Sequence, residues 1–281
     1  TFPKPLIEVK GKPMIQVVVE NLNIKANFIY VVQKEHREKY NLDTLLNLIT
    51  PNCKIVEVDG ITEGAACTAL LAKEYIDSEN PLFFANSDQF VEWDSNEFLY
   101  KMNETNADGG IVSFRATHPK WSFAKIDEQG LVTEVAEKNP ISDIATVGYY
   151  YWKNGSDFVK YAEEMIEQDV RVNGEFYVCP VFNQAIADGK EIRTFDIPKM
   201  WGLGTPEDLK EYLENYKTTH LKLTVMLEKS LRENLQKAFW AKLEEEISKV
   251  PPEYNQIVGL FKDINLLYLS IITCVAETRQ A

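Results

Sequence analysis

The sequence predicts an α/β domain over residues 1–217, built around a largely parallel sheet, followed by an appended helical hairpin over residues 218–281. Three observations carry this expectation. Short β-rich runs alternate with segments of helical periodicity, as β/α units do. One of those runs, PLFF, is continuously apolar, as befits a strand covered on both faces. After Lys217 the strand signals stop, and apolar residues recur at helical spacing instead.

The opening stretch, TFPKPLIEVKGKPMI, holds Lys4 between Pro3 and Pro5. Each proline fixes its own φ and pushes the preceding residue towards extended geometry, so Lys4 is expected on a stiff, non-helical segment. Pro13 sits where the first turn of a helix tolerates proline, and Met14, Val17, Val18 and Leu22 then mark one buried helical face. NFIYVVQ reads as a strand, LDTLLNLI as a helix, KIVEV as a strand and GAACTALLAKEYI as a helix. PLFFANSD supplies the next strand, EFLYKM a helix and GGIVSF another strand. FAKIDEQGLVTEV reads as a hairpin turning at residues 127–130. The strand TVGYYYW follows, then helices at DFVKYAEEMIEQ and FYVCPVFNQAIADG, the strand EIRTFDI, and a helix over about 206–216. In the appendage Leu227, Leu231, Leu235, Phe239, Leu243 and Ile247 repeat every fourth residue before PPEY interrupts. That face needs a covering surface, so a protein partner for the tail is one expectation.

Charge and cysteine content narrow the function classes. With 30 basic and 43 acidic residues the formal net charge is −13, which argues against a nucleic-acid or anionic-membrane binder while leaving room for a phosphorylated ligand held by local lysines. The four cysteines, Cys53, Cys67, Cys179 and Cys274, form no CxxC pair, so neither a zinc site nor a disulfide framework is indicated and a cytoplasmic setting is expected. No apolar run reaches the roughly 18 residues that a membrane-spanning helix requires.

In α/β sheets, ligands gather at the carboxyl ends of strands. Asp88, which closes PLFFANSD after an apolar run expected to be buried, offers a carboxylate to a hard cation such as Mg²⁺, or simply occupies a solvated turn. Gly64, in TEGAACTALLAK, either lets a flat ring approach the backbone or punctuates a strand-to-helix turn. Lys138 reads as a surface charge beyond the hairpin, and Glu175 as a first-turn acid favoured by a helix dipole. His36, His118 and His220 have no nucleophile-elbow partner, and neither a GxxxxGK[ST] nor a GxGxxG loop is present.

Taken in order, PKPLIEVKGKPMI, TEGAACTALLAKEYI, FFANSDQF, GLVTEVAEKNPISDIATVGYYYW, NGEFYVCPVFNQAI and WGLGTPEDLKEYL resemble the sugar-phosphate nucleotidylyltransferase family, and within it the bacterial surface-polysaccharide, dTDP-glucose pyrophosphorylase-like branch. The resemblance spans residues 1–216. It implies a Rossmann-like nucleotide-diphospho-sugar transferase fold and an enzyme that joins a nucleoside triphosphate to a phosphorylated sugar or small alcohol, with Mg²⁺ and release of pyrophosphate. By the same resemblance Lys4 would neutralise the reacting phosphates, Gly64 would lie against the base, and Asp88 would hold the metal. Lys138 would bind the acceptor phosphate, and Glu175 an acceptor hydroxyl beside Gly148.

Three departures from the family pattern stand out. The family's first strand and glycine-rich loop precede the PKPL motif and are not in this chain, so the resemblance implies a truncated domain with impaired turnover. The acid of a D-x-G-T motif is replaced by Gly202 in GLGT, which leaves the second metal ligand unassigned. The stretch ENLQKAFWAKLEEEISKVPPEYNQIVGLFKDI resembles a segment of the T-complex protein eleven family instead. A non-catalytic nucleotide- or sugar-nucleotide-binding module with a helical interaction tail is the alternative. A glycosyltransferase of similar fold would be expected to show D-x-D, whereas NSDQF offers one acid.

Overall fold

The structure, a computed structural model, describes residues 2–216. The chain divides between Leu213 and Glu214 into two units, the second of which lies almost wholly outside the described residues. So do the expected hairpin over 218–281 and its resemblance to the T-complex protein eleven family.

The first residues form one 3₁₀ turn, Lys4–Leu6, closed by hydrogen bonds from Leu6 N–H to Pro3 O and from Ile7 N–H to Lys4 O, both 3.0 Å. The expectation of a non-helical Lys4 is corrected here. Pro5 sits inside the turn, where its fixed φ is compatible with helical geometry. A minimal hairpin, β1 (Glu8–Val9) and β2 (Lys12–Pro13), leads into α1 (Met14–Leu22), so Pro13 caps that helix from extended geometry and does not belong to its first turn. Strand β3 (Ile29–Gln33) is followed by α2 (Lys34–Tyr40), α3 (Leu42–Ile49) and β4 (Lys54–Val58), and β3 pairs with β4 in parallel. The segment GAACTALLAKEYI splits into α4 (Ala65–Leu70) and α5 (Lys73–Ile76).

Next come β5 (Leu82–Phe84), β6 (Gln89–Glu92), α6 (Ser95–Glu104), β7 (Gly109–Arg115), β8 (Ser122–Ile126), β9 (Val132–Glu137) and β10 (Ile144–Trp152). They are followed by α7 (Gly155–Glu167), α8 (Val181–Ala187), β11 (Ile192–Asp196), β12 (Lys199–Gly202) and α9 (206–216). Helix α8 begins at Val181, later than its sequence pattern suggests, because the Phe176 backbone is tied by hydrogen bonds to Glu63 and Ala66 and Pro180 caps the helix start.

The α/β class stands, and the main sheet is mixed. Its six strands run β11-β7-β10-β8-β9 with β5 also on β10. Parallel pairing is carried by β11–β7 and β3–β4, whereas β10 is antiparallel to β7, β8 and β5. Helices α7 and α8 cover one face through Phe158, Tyr161, Val181 and Phe182, with Trp152 stacked on Phe182 at 4.3 Å. Helix α6 covers the other through Phe98 and Met102. Strands β3, β4 and β5 contribute Ile29, Val31, Val56, Leu82 and Phe84 to the first of these cores, yet β5 is only half-buried rather than buried as its apolar run suggests. Among the described residues neither β3 nor β4 is hydrogen-bonded to β5 or to any strand of the main sheet.

Candidate functional site

Strand β10 organises the candidate site. Its register shifts between Thr146 and Tyr150, and Gly148 lies in that irregularity at φ +90°. A Cβ at 148 would collide with Asn86 and approach Gln89 Oε1 at 3.2 Å, so only glycine lets β10 press against the turn that carries Asp88.

Asp88 sits between β5 and β6. Its carbonyl accepts from Leu203 N–H at 2.8 Å, just beyond the antiparallel β6–β12 pair, and Gly204 leaves its carboxylate room where any side chain would clash. Burial pushes the Asp88 carboxyl above its ordinary range; the Lys4 cation pulls it down and the nearby Asp208 carboxylate opposes its ionisation. Lys4 and Asp88, both proposed from sequence, are therefore electrostatic neighbours.

Lys138 and Glu175 form a second group, joined by Tyr177. Lys138 ends β9 in the left-handed region, φ +53°, and donates from Nζ to Tyr177 Oη at 2.6 Å. That bond holds the Lys138 ammonium above its usual range, assisted by the charges of Glu137 and Glu175, and the Tyr177 phenol is raised foremost by its hydrogen bond to Glu175. Glu175 is not a first-turn acid, and that reading is corrected. Asn173 and Gly174, at φ +51° and +82°, make a two-residue turn whose flanks Val172 and Glu175 exchange backbone hydrogen bonds of 3.0 Å.

Gly64, at φ +129°, is required for a reason the sequence did not show: a Cβ there would run into the backbone of Phe176. Phe176 N–H donates to Glu63 O at 2.8 Å and Ala66 N–H to Phe176 O at 2.9 Å. Arg171 pairs with Glu63 at 2.6 Å and lies 4.1 Å from the centre of the Phe176 ring, fixing the Gly64 loop beside Glu175.

Tyr177 and Asp208 escaped the sequence reading. No spacing flags Tyr177. TPED is legible as a helix start, with Thr205 capping α9, but not as an acid placed near Asp88.

Residues 1–235 match the nucleotidyl transferase family. The chain belongs to that family. The match runs past the boundary expected after residue 217. Among curated relatives of this nucleotidyl transferase domain, the bifunctional protein GlmU of Methanocaldococcus jannaschii is 28% identical over 215 residues, covering 74% of this chain and 48% of that protein. The low-salt glycan biosynthesis nucleotidyltransferase Agl11 of Haloferax volcanii is 25% identical over 219 residues, covering 75% and 59%. The chain thus spans about half the length of the curated relatives it matches. Among solved structures, a nucleoside-diphosphate-sugar pyrophosphorylase from Vibrio cholerae RC9 superposes with a TM-score of 0.65 at 22% identity, over 76% of this chain and 93% of that one. A UDP-glucose pyrophosphorylase complexed with UDP-glucose gives 0.60 at 17%, over 78% and 92%. Both support the fold. Among the described residues, no helix is long and apolar enough to cross a membrane.

Proposed function

We propose that this chain carries the active-site groups of a sugar-phosphate nucleotidyltransferase that joins a nucleoside triphosphate to a phosphorylated sugar or small alcohol, supplying precursors for surface glycans in the cytoplasm. The observation that carries the reading is the presence of two separate lysine–acid sets, Lys4 with Asp88 at the turn that Gly148 of β10 meets, and Lys138 with Glu175 through Tyr177. A reaction between two phosphorylated substrates needs a cation at each phosphate and an acceptor for a sugar hydroxyl.

In this reading an oxygen of the acceptor phosphate attacks the α-phosphorus in line. A new P–O bond forms, and the α–β P–O bond breaks with its electrons leaving on pyrophosphate. Lys138 holds the acceptor phosphate, exchanging its bond to Tyr177 for one to the substrate. Glu175 accepts from an acceptor hydroxyl, Gly148 keeps β10 close to the Asp88 turn, the Gly64 loop borders the base, and Lys4 offsets charge on the triphosphate.

Mg²⁺ fits the Asp88 side. The donor there is the part-buried Asp88 carboxylate, and a hard cation that takes oxygen ligands completes its shell with water and phosphate oxygens. When bound, Mg²⁺ would neutralise phosphate charge; Asp88 would hold it.

Calorimetric titration with a panel of nucleoside-diphosphate sugars tests the site directly. The reading expects at least one to bind, with Lys138→Ala and Glu175→Ala each weakening it about tenfold or more. No binding across the panel would overturn it. Binding with no pyrophosphate release from any triphosphate and acceptor pair would favour the non-catalytic module.

A further inference from the structure

Gly202 stands where the D-x-G-T pattern has an acid, and the structure shows what fills that place. Gly202 pairs with Gln89, the residue after Asp88, so its Cα lies directly beside the candidate metal turn. A Cβ added at 202 would lie 3.0 to 3.1 Å from Cγ, Cβ and Oδ2 of Asp208. The space that an acid at 202 would enter is therefore occupied by the carboxylate arm of a residue six positions later, in the first turn of α9. Gly204, between them in sequence, is in turn pressed against Asp88 Oδ2. Two glycines one residue apart in the chain thus each abut a carboxylate, Gly202 that of Asp208 and Gly204 that of Asp88, on one shelf of bare backbone.

We propose that Asp208 supplies the second carboxylate that position 202 lacks, so that Asp88 and Asp208 together take one divalent cation of the Mg²⁺ or Mn²⁺ kind. The proposal rests on the nucleotidyltransferase reading above. A hard dication takes oxygen donors, and two carboxylates facing one shelf of backbone offer it two while leaving room for water and phosphate oxygens. Two neighbours hold the Asp208 carboxylate in place. Thr205 Oγ1 donates to its Oδ2 at 2.8 Å, and Lys120 Nζ stands 3.8 Å from its Oδ1. Asp208 N–H donates back to Thr205 Oγ1 at 3.1 Å, so Asp208 also closes a helix-capping pair. Capping requires an acceptor oxygen but not a negative charge, and this difference makes the two roles separable.

The test is Mn²⁺ binding to the full chain, followed by electron paramagnetic resonance of the free ion, with circular dichroism as the check on folding. Asp208→Asn keeps size and acceptor but removes charge, and is expected to weaken Mn²⁺ at least tenfold without unfolding the protein. Gly202→Asp combined with Asp208→Ala moves the acid back to 202, where the backbone is not left-handed and, of the three crowding atoms, only the Cβ of residue 208 at 3.1 Å remains. This double variant is expected to regain most of the affinity. If Asp88→Asn weakens Mn²⁺ while Asp208→Asn leaves it unchanged, the inference fails and the single-acid reading stands. The inference is also overturned if the folded double variant shows no recovery. If neither single variant changes Mn²⁺ binding, or the unaltered chain binds none, the metal reading of the site falls and takes the inference with it.

Discussion

At Gly64 and Gly60 two left-handed glycines face different surroundings. Both have positive φ, +129° and +85°, but only Gly64 has backbone where a Cβ would go, whereas the space beside Gly60 is open. Gly60→Ala should cost about 1 kcal/mol of conformational strain. Gly64→Ala adds displacement of the Phe176 backbone and should cost clearly more, which urea denaturation of the two variants would show. Equal losses would mean that the Phe176 contact is not tight. Glu137 makes a second prediction, from charge. Burial raises its carboxyl above the ordinary range, against a smaller lowering by its hydrogen bond from Ser122 and by the Lys138 charge. A folded pKa above the unfolded one means that this group favours the fold while protonated, a contribution lost as pH rises through the folded value. Glu137→Gln should therefore gain stability relative to the unaltered chain as pH climbs from about 4 towards neutrality, with little difference in more acid solution. Thermal unfolding across that range checks it, and a difference independent of pH would count against it. The candidate-site residues themselves were legible only as an ordered set of motifs. Tyr177 and Asp208 were not, because Tyr177 meets Lys138 39 positions away and Asp208 meets Asp88 only through α9.

Two asparagines do at the level of elements what a neighbouring strand would do. Asn183 of α8 donates from Nδ2 to Val135 O at 2.8 Å and accepts from Val135 N–H at 2.9 Å, closing the edge of β9. Asn21 of α1 does the same for Val91 of β6, at 2.8 Å in both directions. An amide side chain copies the donor–acceptor pair of a backbone, so each helix is registered against its strand by polar as well as apolar contact. Asn183→Asp replaces the donor with an oxygen and leaves Val135 O facing it; the loss should be about 1–3 kcal/mol, read from urea denaturation. A neutral effect would show that water substitutes readily there. The sequence could not reveal these links, since asparagine in a helix carries no positional signal of its own. It also concealed α2, which buries no residue and so has no apolar stripe, and β6 and β12, which are four residues each and too short for a period to register. The long elements were readable because their periods are strong: α7 buries Phe158, Val159, Tyr161, Ala162 and Met165 on one face, and β10 is apolar along nearly its whole length.

At the scale of the molecule, the sheet is interrupted where its chemistry is concentrated. Strands β3–β4 and β5 share one core through Ile29, Val31, Val56, Leu82 and Phe84, yet no hydrogen bond joins the two sets among the described residues. Strands of this composition are ordinarily buried, but all three residues of β5 and four of the five in β3 remain half-exposed. Unpaired strand edges can take another strand, because the backbone donors and acceptors on both sides then gain partners. The unpaired strand edges and half-exposed apolar residues of β3 and β5 are what an added extended segment would cover. The expected outcome of joining a family relative's first strand and glycine-rich loop ahead of Thr1 is a higher melting temperature, slower amide exchange in Ile29–Gln33 and Leu82–Phe84, and measurable pyrophosphate release. Exchange localises the effect: protection in β3 and β5 without turnover would confirm the strand's place while denying that the loop completes the active site. Unchanged exchange in both strands would show that the break between β3 and β5 is closed in some other way.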